Sequence, residues 1–142
     1  MTTYYAEVKG IRDELSSRIQ EVSWLSGKVN INTWRTDSSF PCVLIVTERD
    51  SMTLEQSKSN LDKHDLVFGI VFRNTSPNTD ILVSGAGAII DKVTSYTTNY
   101  LSGGLGWEVA KIGDVNYKYA SPGIANEVVG EAYIPVEITK EW

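Results

Sequence analysis

The chain has 142 residues and a net charge of −5, which fits a single domain of ordinary size over residues 1–142. Its only cysteine, Cys42, excludes an internal disulfide, and one cysteine with one histidine, His64, excludes the usual four-ligand zinc site. The negative net charge argues against a protein that binds the phosphate backbone of nucleic acids. Residues 1–7 lack a signal-peptide pattern, and the chain has no apolar run of roughly 20 residues. These features predict a soluble protein made in the cytoplasm.

The first predicted element is a helix over residues 4–22. Its apolar residues recur at steps of three and four, which is the pattern of one face of an amphipathic helix. They are Tyr4, Val8, Ile11, Leu15, Ile19 and Val22. A short strand follows around Val29 and Ile31. Residues 40–47 predict a second strand, which is apolar on both faces and is therefore expected to be central in the sheet.

Residues 48–65 interrupt the apolar pattern and predict a long polar loop or a hairpin extension. The next strand is predicted over residues 66–73, which are apolar on both faces. Residues 74–79 have the composition of a loop, and residues 80–101 predict a second amphipathic helix. The apolar positions of this helix are Leu82, Ala86, Ile89, Val93, Tyr96 and Tyr100.

The last part of the chain predicts strands only. Trp107–Ile112 and residues 115–120 flank a Gly113-Asp114 turn, which predicts a hairpin or a paired run. Residues 128–138 alternate between a buried and a wetter face and predict a long strand, in which Pro135 indicates an edge position or a bulge. The order of elements predicts an α+β fold, with two amphipathic helices packed on one face of a mainly antiparallel sheet.

The few residues that could carry chemistry each have a simpler interpretation. His64 lies in the polar stretch and is expected to be a solvated loop histidine, because a general base also needs a nucleophile or an orienting partner. Cys42 is expected to fill the core of its strand. The glycine-containing run at residues 84–87 lacks the rest of a phosphate-binding loop and predicts close packing of a helix on the sheet.

Two pairs of acidic residues, Glu48 with Asp50 and Asp62 with Asp65, could bind a hard cation but lack the spacing of a calcium loop. The simpler interpretation is a solvated polar loop. We therefore predict no catalytic residue, no metal site and no cofactor, and a protein that is not an enzyme. An enzyme whose site is completed across a subunit interface is an alternative.

The aromatic residues favour contacts with other subunits, because many of them lie at the edges of predicted elements. The tryptophans are Trp24, Trp34, Trp107 and Trp142. Tyr117, Tyr119 and Tyr133 lie on predicted strands and could share a face. The alternative is that each aromatic residue covers its local core.

This order of elements resembles that of the tail terminator and tail-completion (neck) proteins of long-tailed bacteriophages. The resemblance covers most of the chain: the first helix, the strand at residues 40–47 that enters the polar stretch, the returning strand, the second helix and the closing strand. It implies a structural virion protein whose subunits form a hexameric ring that closes the tail tube and joins the tail to the head.

The resemblance also implies partners and a location. The partners are further copies of the chain, the tail tube protein and a head-completion or connector protein, with genomic DNA passing through without specific binding and with no membrane. Assembly would take place in the host cytoplasm, and the final location would be the virion. Candidate contact residues are Trp34, Arg49, Met52, Leu54, Lys58, Lys63, Trp107 and Trp142. The alternative is a non-viral small ligand-binding or regulatory α+β domain, which should have one concave apolar pocket.

Overall fold

A computed structural model describes residues 4–31, 41–54, 61–75, 79–103, 107–120 and 129–141. These residues form two α-helices and a sheet of six strands, most of them antiparallel, so the predicted α+β class is confirmed. The elements in chain order are α1 (Tyr4–Ile19), a short 3-10 turn (Ser23–Leu25), β1 (Val29–Asn30), β2 (Cys42–Leu54), β3 (Leu61–Thr75), α2 (Thr79–Gly103), β4 (Trp107–Ile112), β5 (Asn116–Ala120) and β6 (Val129–Glu141).

The strands lie in the order β1-β2-β3-β6-β4, and β5 also pairs with β6. Only β1 and β2 are parallel to each other. The strand predicted at residues 40–47 lies between β1 and β3 in the described sheet, as a central strand does, and β1 pairs with it at Val43 and Leu44. Strands β3 and β6 of the described sheet each pair along most of their length on both sides.

The polar stretch at residues 48–65 is strand over most of its length, so the loop interpretation is wrong and the hairpin extension describes it. Strand β2 continues to Leu54 and β3 begins at Leu61, with Asp50 opposite Leu66 and Thr53 opposite Lys63. Backbone hydrogen bonds hold a ladder of this kind whether or not its side chains are apolar. The pairing shifts by one residue at Glu48, which lies in a β-bulge.

The predicted hairpin of residues 107–120 is wrong, because β4 and β5 both pair with β6 instead of with each other. They follow one another along the same edge of β6 and are separated at residues 113–115. This break lies beside Pro135, which has no N–H to donate, and the Gly113 N–H donates to the Pro135 carbonyl at 2.8 Å. Pro135 thus marks an interruption of the ladder within a central strand and not an edge strand.

The core lies between the two helices and one face of the sheet. The predicted apolar stripes of the helices are confirmed at the buried residues Ile11, Leu15 and Ile19 of α1 and Leu82, Ala86, Ile89 and Val93 of α2. The first helix is shorter than predicted, because α1 ends at Ile19 and Val22 has an extended backbone. The buried helix residues pack against alternate residues of the central strands, which are Leu66, Phe68, Ile70, Phe72, Ala132, Ile134, Val136 and Ile138. Among the described residues, neither helix combines the length and apolar character that crossing a bilayer requires.

Candidate interaction surfaces

The sequence-predicted contact residues concentrate at one end of the sheet. Met52 is opposite His64, His64 is opposite Lys140, and Lys140 is opposite Trp107, so these four positions form one row across β2, β3, β6 and β4. Leu54 and Lys63 lie beside this row, and Arg49 is exposed nearer the middle of β2. Trp34, Lys58 and Trp142 lie outside the described residues.

The residues that were considered for catalysis or metal binding occupy ordinary structural positions. His64 lies within β3, so the prediction of a loop histidine is wrong. Cys42 is buried, as expected for a core position. Glu48 and Asp50 lie in β2 and Asp65 lies in β3, where it accepts a hydrogen bond from the Thr139 hydroxyl at 3.0 Å. No group of three or more potential metal ligands occurs among the described residues.

The glycine-containing run at residues 84–87 lies within α2, and Gly85 fits the predicted close packing. A Cβ atom at Gly85 would come within 2.8 Å of three atoms of the Phe72 ring. The same test at Gly87 finds no heavy atom within 4 Å, so Gly87 has no such packing role. The close approach of α2 to the sheet therefore depends on Gly85 and not on Gly87.

Strands β4 and β5 lie along one outer edge of the sheet, and among the described residues no strand pairs with the outer side of β5. Tyr117 and Tyr119 are 39% and 48% exposed, and Lys118 between them is also exposed. Tyr117 is opposite Ala132 and Tyr119 is opposite Gly130, so both tyrosines lie on the face that carries the helices. Tyr133 lies on the other face, so the prediction that the three tyrosines could share a face of the sheet is wrong.

The second open edge lies at the other end of the sheet, on β2. Within the described residues, β1 covers Val43 and Leu44, and the outer side of β2 from Ile45 onward has no strand beside it. Thr47, Glu48 and Arg49 on this stretch are exposed. An edge of this kind presents unpaired backbone N–H and C=O groups, which can pair with another strand.

The face of the sheet opposite the helices, which we call the helix-free face, carries two polar contacts between strands. The Tyr133 hydroxyl donates to Glu48 Oε1, and the Glu48 carboxylate lies over Gly69, where a Cβ would leave it no room. Arg73 Nη2 is 2.6 Å from Glu131 Oε1, and their Cα atoms are directly opposite in the β3–β6 ladder. Arg73 Nε is buried and has no hydrogen-bond partner among the described residues.

These contacts border a groove of about 580 Å³ on the helix-free face. Val46 and Val71 give it an apolar part, while Arg73, Lys118 and Glu131 supply charges. Sequence reasoning placed Glu131 and Tyr133 on the wetter face of the closing strand, and this is confirmed. It missed Glu48 as their neighbour because it placed residue 48 in a polar loop or hairpin extension with no predicted strand partner.

The Tyr133 hydroxyl should ionise at unusually high pH. Burial, together with the hydrogen bond to the Glu48 carboxylate and its negative charge, raises the pKa of Tyr133 to about 12, from 10.0. Because the folded state holds this proton more tightly, the hydrogen bond's contribution to stability is complete below the unfolded pKa of 10.0 and is lost as the pH rises toward about 12.

Ultraviolet titration of Glu48→Gln should show one tyrosine that ionises at lower pH than in the wild type, whereas Glu14→Gln, on an exposed helix position, should leave the curve unchanged. Identical titrations for Glu48→Gln and the wild type would contradict the contact.

A third feature is an exposed tryptophan at the end of the sheet where β2 begins. Trp24 is 43% exposed, and its ring meets the edge of Phe72 with centroids 5.6 Å apart and an interplanar angle of 81°. Pro41 and Ile81 border a shallow depression beside it. Trp24 thus covers its local core and still presents apolar surface, which combines the two interpretations that the sequence left open.

Comparisons with known proteins do not assign the chain to a family: no model of a known protein family matches it, and no curated protein matches it significantly.

Proposed function

We propose that this protein is a structural subunit of a bacteriophage virion, of the tail-terminator or neck type. In this role several copies form a ring at the end of the tail tube and join the tail to the head. The observation that carries the proposal is the pair of open edges at opposite ends of one sheet, which differ in sequence: Asn116–Ala120 at one end and the outer side of β2 at the other. The role is one of assembly and not of catalysis.

Two different edges suit a ring because of symmetry. A head-to-tail contact joins one surface to a different surface on the next copy, and it closes into a ring when the rotation between copies allows it. The exposed tyrosines on β5 add the kind of aromatic surface that anchors subunit contacts. The hairpin of β2 and β3 and the start of β4 then offer the row at Met52, His64, Lys140 and Trp107 to the tail tube or to the head-completion protein.

The net charge of −5 supports the same role, because a ring that passes genomic DNA should not hold it. We expect light scattering at high protein concentration to give a mass several times that of one chain. Fluorescence anisotropy with a labelled duplex should show no saturable binding at physiological salt. A monomer at every concentration would contradict the proposed ring, and tight duplex binding would contradict the proposed passage of DNA.

A second candidate function, a non-viral ligand-binding or regulatory domain, is favoured by the groove on the helix-free face. Its volume of about 580 Å³ lies in the usual range for small-molecule sites. The exposed Lys118 and the buried Arg73 Nε beside Val46 and Val71 suit a small carboxylate with an apolar tail. Titration with hexanoate, followed by NMR shifts of Tyr133 and Lys118, should saturate if this function holds and should produce no shift if the groove is only a surface feature.

A further inference from the structure

We propose that β5 of one subunit pairs in antiparallel orientation with the outer edge of β2 of the next subunit, so that the sheets of neighbouring copies join into one. This inference rests on the proposed ring function and names the contact that would build it. The contact has two sides: the five residues of β5, Asn116–Ala120, and the ten residues of β2 at positions 45–54, of which Thr47, Glu48 and Arg49 are exposed.

The antiparallel orientation follows from the sheet itself. Strands β2 and β3 are antiparallel, β3 and β6 are antiparallel, and β6 and β5 are antiparallel, so β5 runs opposite to β2 within one subunit. If the next subunit continues the sheet with its helices on the same side, its β2 keeps the direction of the first. Within one sheet β5 lies level with Cys42–Leu44, where β1 covers the edge of β2, so the next subunit must also be displaced along the strands for its residues 45–54 to meet β5. The two edges then meet in antiparallel orientation, in which opposite residues can exchange hydrogen bonds directly.

The side chains of the two edges also suit each other on the helix side of the sheet. Tyr117 and Tyr119 lie on the helix side of the sheet, where the edge of β2 offers Thr47, which is opposite Phe68 of the core face. Aromatic residues and β-branched residues are favourable cross-strand neighbours. On the helix-free face, Lys118 is opposite Glu131 in its own sheet.

Symmetric pairing of β5 with β5 of a second copy is disfavoured by charge. The antiparallel register that pairs all five residues, Asn116–Ala120, is centred on Lys118 and brings two lysines opposite each other. Like charges directly opposite destabilise a strand pair. Pairing with β2 avoids this contact, and a ring built from it leaves neither of these edges open, as closure does in a barrel.

Paired cysteines can test the contact directly. One double variant combines Thr47→Cys and Tyr119→Cys in the same chain. The two positions lie on the same face of the sheet but on opposite edges, three strand spacings apart. At about 4.8 Å per spacing this is about 14 Å. A disulfide requires Cα atoms within roughly 7 Å, so the two thiols cannot join within one subunit. Tyr117→Cys in place of Tyr119→Cys samples a register shifted by two residues. The native thiol, Cys42, is buried.

After mild oxidation with copper phenanthroline, at least one of the two double variants should give a ladder of dimers, trimers and larger species on a non-reducing gel. The single variants Thr47→Cys, Tyr117→Cys and Tyr119→Cys should give no such ladder. All variants should melt within a few degrees of the wild type. A chain that carries Tyr117→Cys and Tyr119→Cys together should form no dimer, although these positions are opposite each other in the symmetric register centred on Lys118. Its efficient conversion to a dimer would show symmetric pairing and overturn the inference.

Electron micrographs of the same samples separate this inference from the proposed function. Rings without any cross-linked ladder in either double variant would refute the β5–β2 contact and leave the ring function standing. The absence of both rings and ladders would refute both. A ladder above the dimer, with rings, supports both.

Discussion

Replacing Phe72 with alanine is expected to lower the free energy of unfolding by about 3–5 kcal/mol. Phe72 is fully buried in β3, and its ring fills the space between Gly85 of α2 and the ring of Trp24. Its loss removes buried apolar area and leaves a cavity that the helix and the sheet can close only in part. Urea unfolding followed by circular dichroism measures the change.

Tyr119→Ala is a matched control, because it removes another aromatic ring from a strand but at a position that is 48% exposed. We expect this variant to lose about 1 kcal/mol or less, within the range of strand propensities. Equal losses for the two variants would contradict the placement of Phe72 at the centre of the helix–sheet contact.

Adding a single methyl group to α2 should have opposite effects at its two interior glycines. In Gly85→Ala, the new Cβ would overlap the Phe72 ring, two of whose atoms lie 2.6 and 2.8 Å from its ideal position. Overpacking of this kind costs about 1–3 kcal/mol, which exceeds the gain in helix propensity of about 1 kcal/mol. We therefore expect a net loss of stability.

Gly87→Ala makes the same chemical change two residues later, where nothing lies within 4 Å of the new Cβ. Only the propensity gain of up to about 1 kcal/mol remains, so this variant should be more stable than the wild type. Thermal melts of the two variants in parallel measure the difference. Stabilisation by both substitutions would mean that α2 does not approach the sheet at Gly85.

The elements that the sequence predicted well are those in which the core dictates the pattern. The helices and the strands at residues 66–73 and 128–138 carry apolar residues at the helical or the alternating period, and the structure has them. Beyond Thr47, the sequence left a polar loop and a hairpin extension as alternatives for β2 and β3, because this part extends past the core. Its ladder depends on backbone hydrogen bonds, which leave no mark on the apolar pattern.

The interaction surfaces were harder to predict because they depend on which strands are neighbours. The local sequence suggested that β4 and β5 form a hairpin, but both strands pair with β6. This pairing places Tyr117 and Tyr119 on the helix side of the sheet and leaves β5 at the edge of the described sheet. The contact between Tyr133 and Glu48 joins residues 85 positions apart. Only the order β2-β3-β6 brings them together over Gly69, a position whose missing side chain has no visible role in the sequence.

Electron microscopy of the purified full-length protein at high concentration tests the central claim most directly. The account predicts closed rings with one central channel and a fixed number of subunits, produced by head-to-tail contacts between unlike edges. Fields of monomers or of two-fold symmetric dimers, under conditions in which the protein is folded, would contradict it.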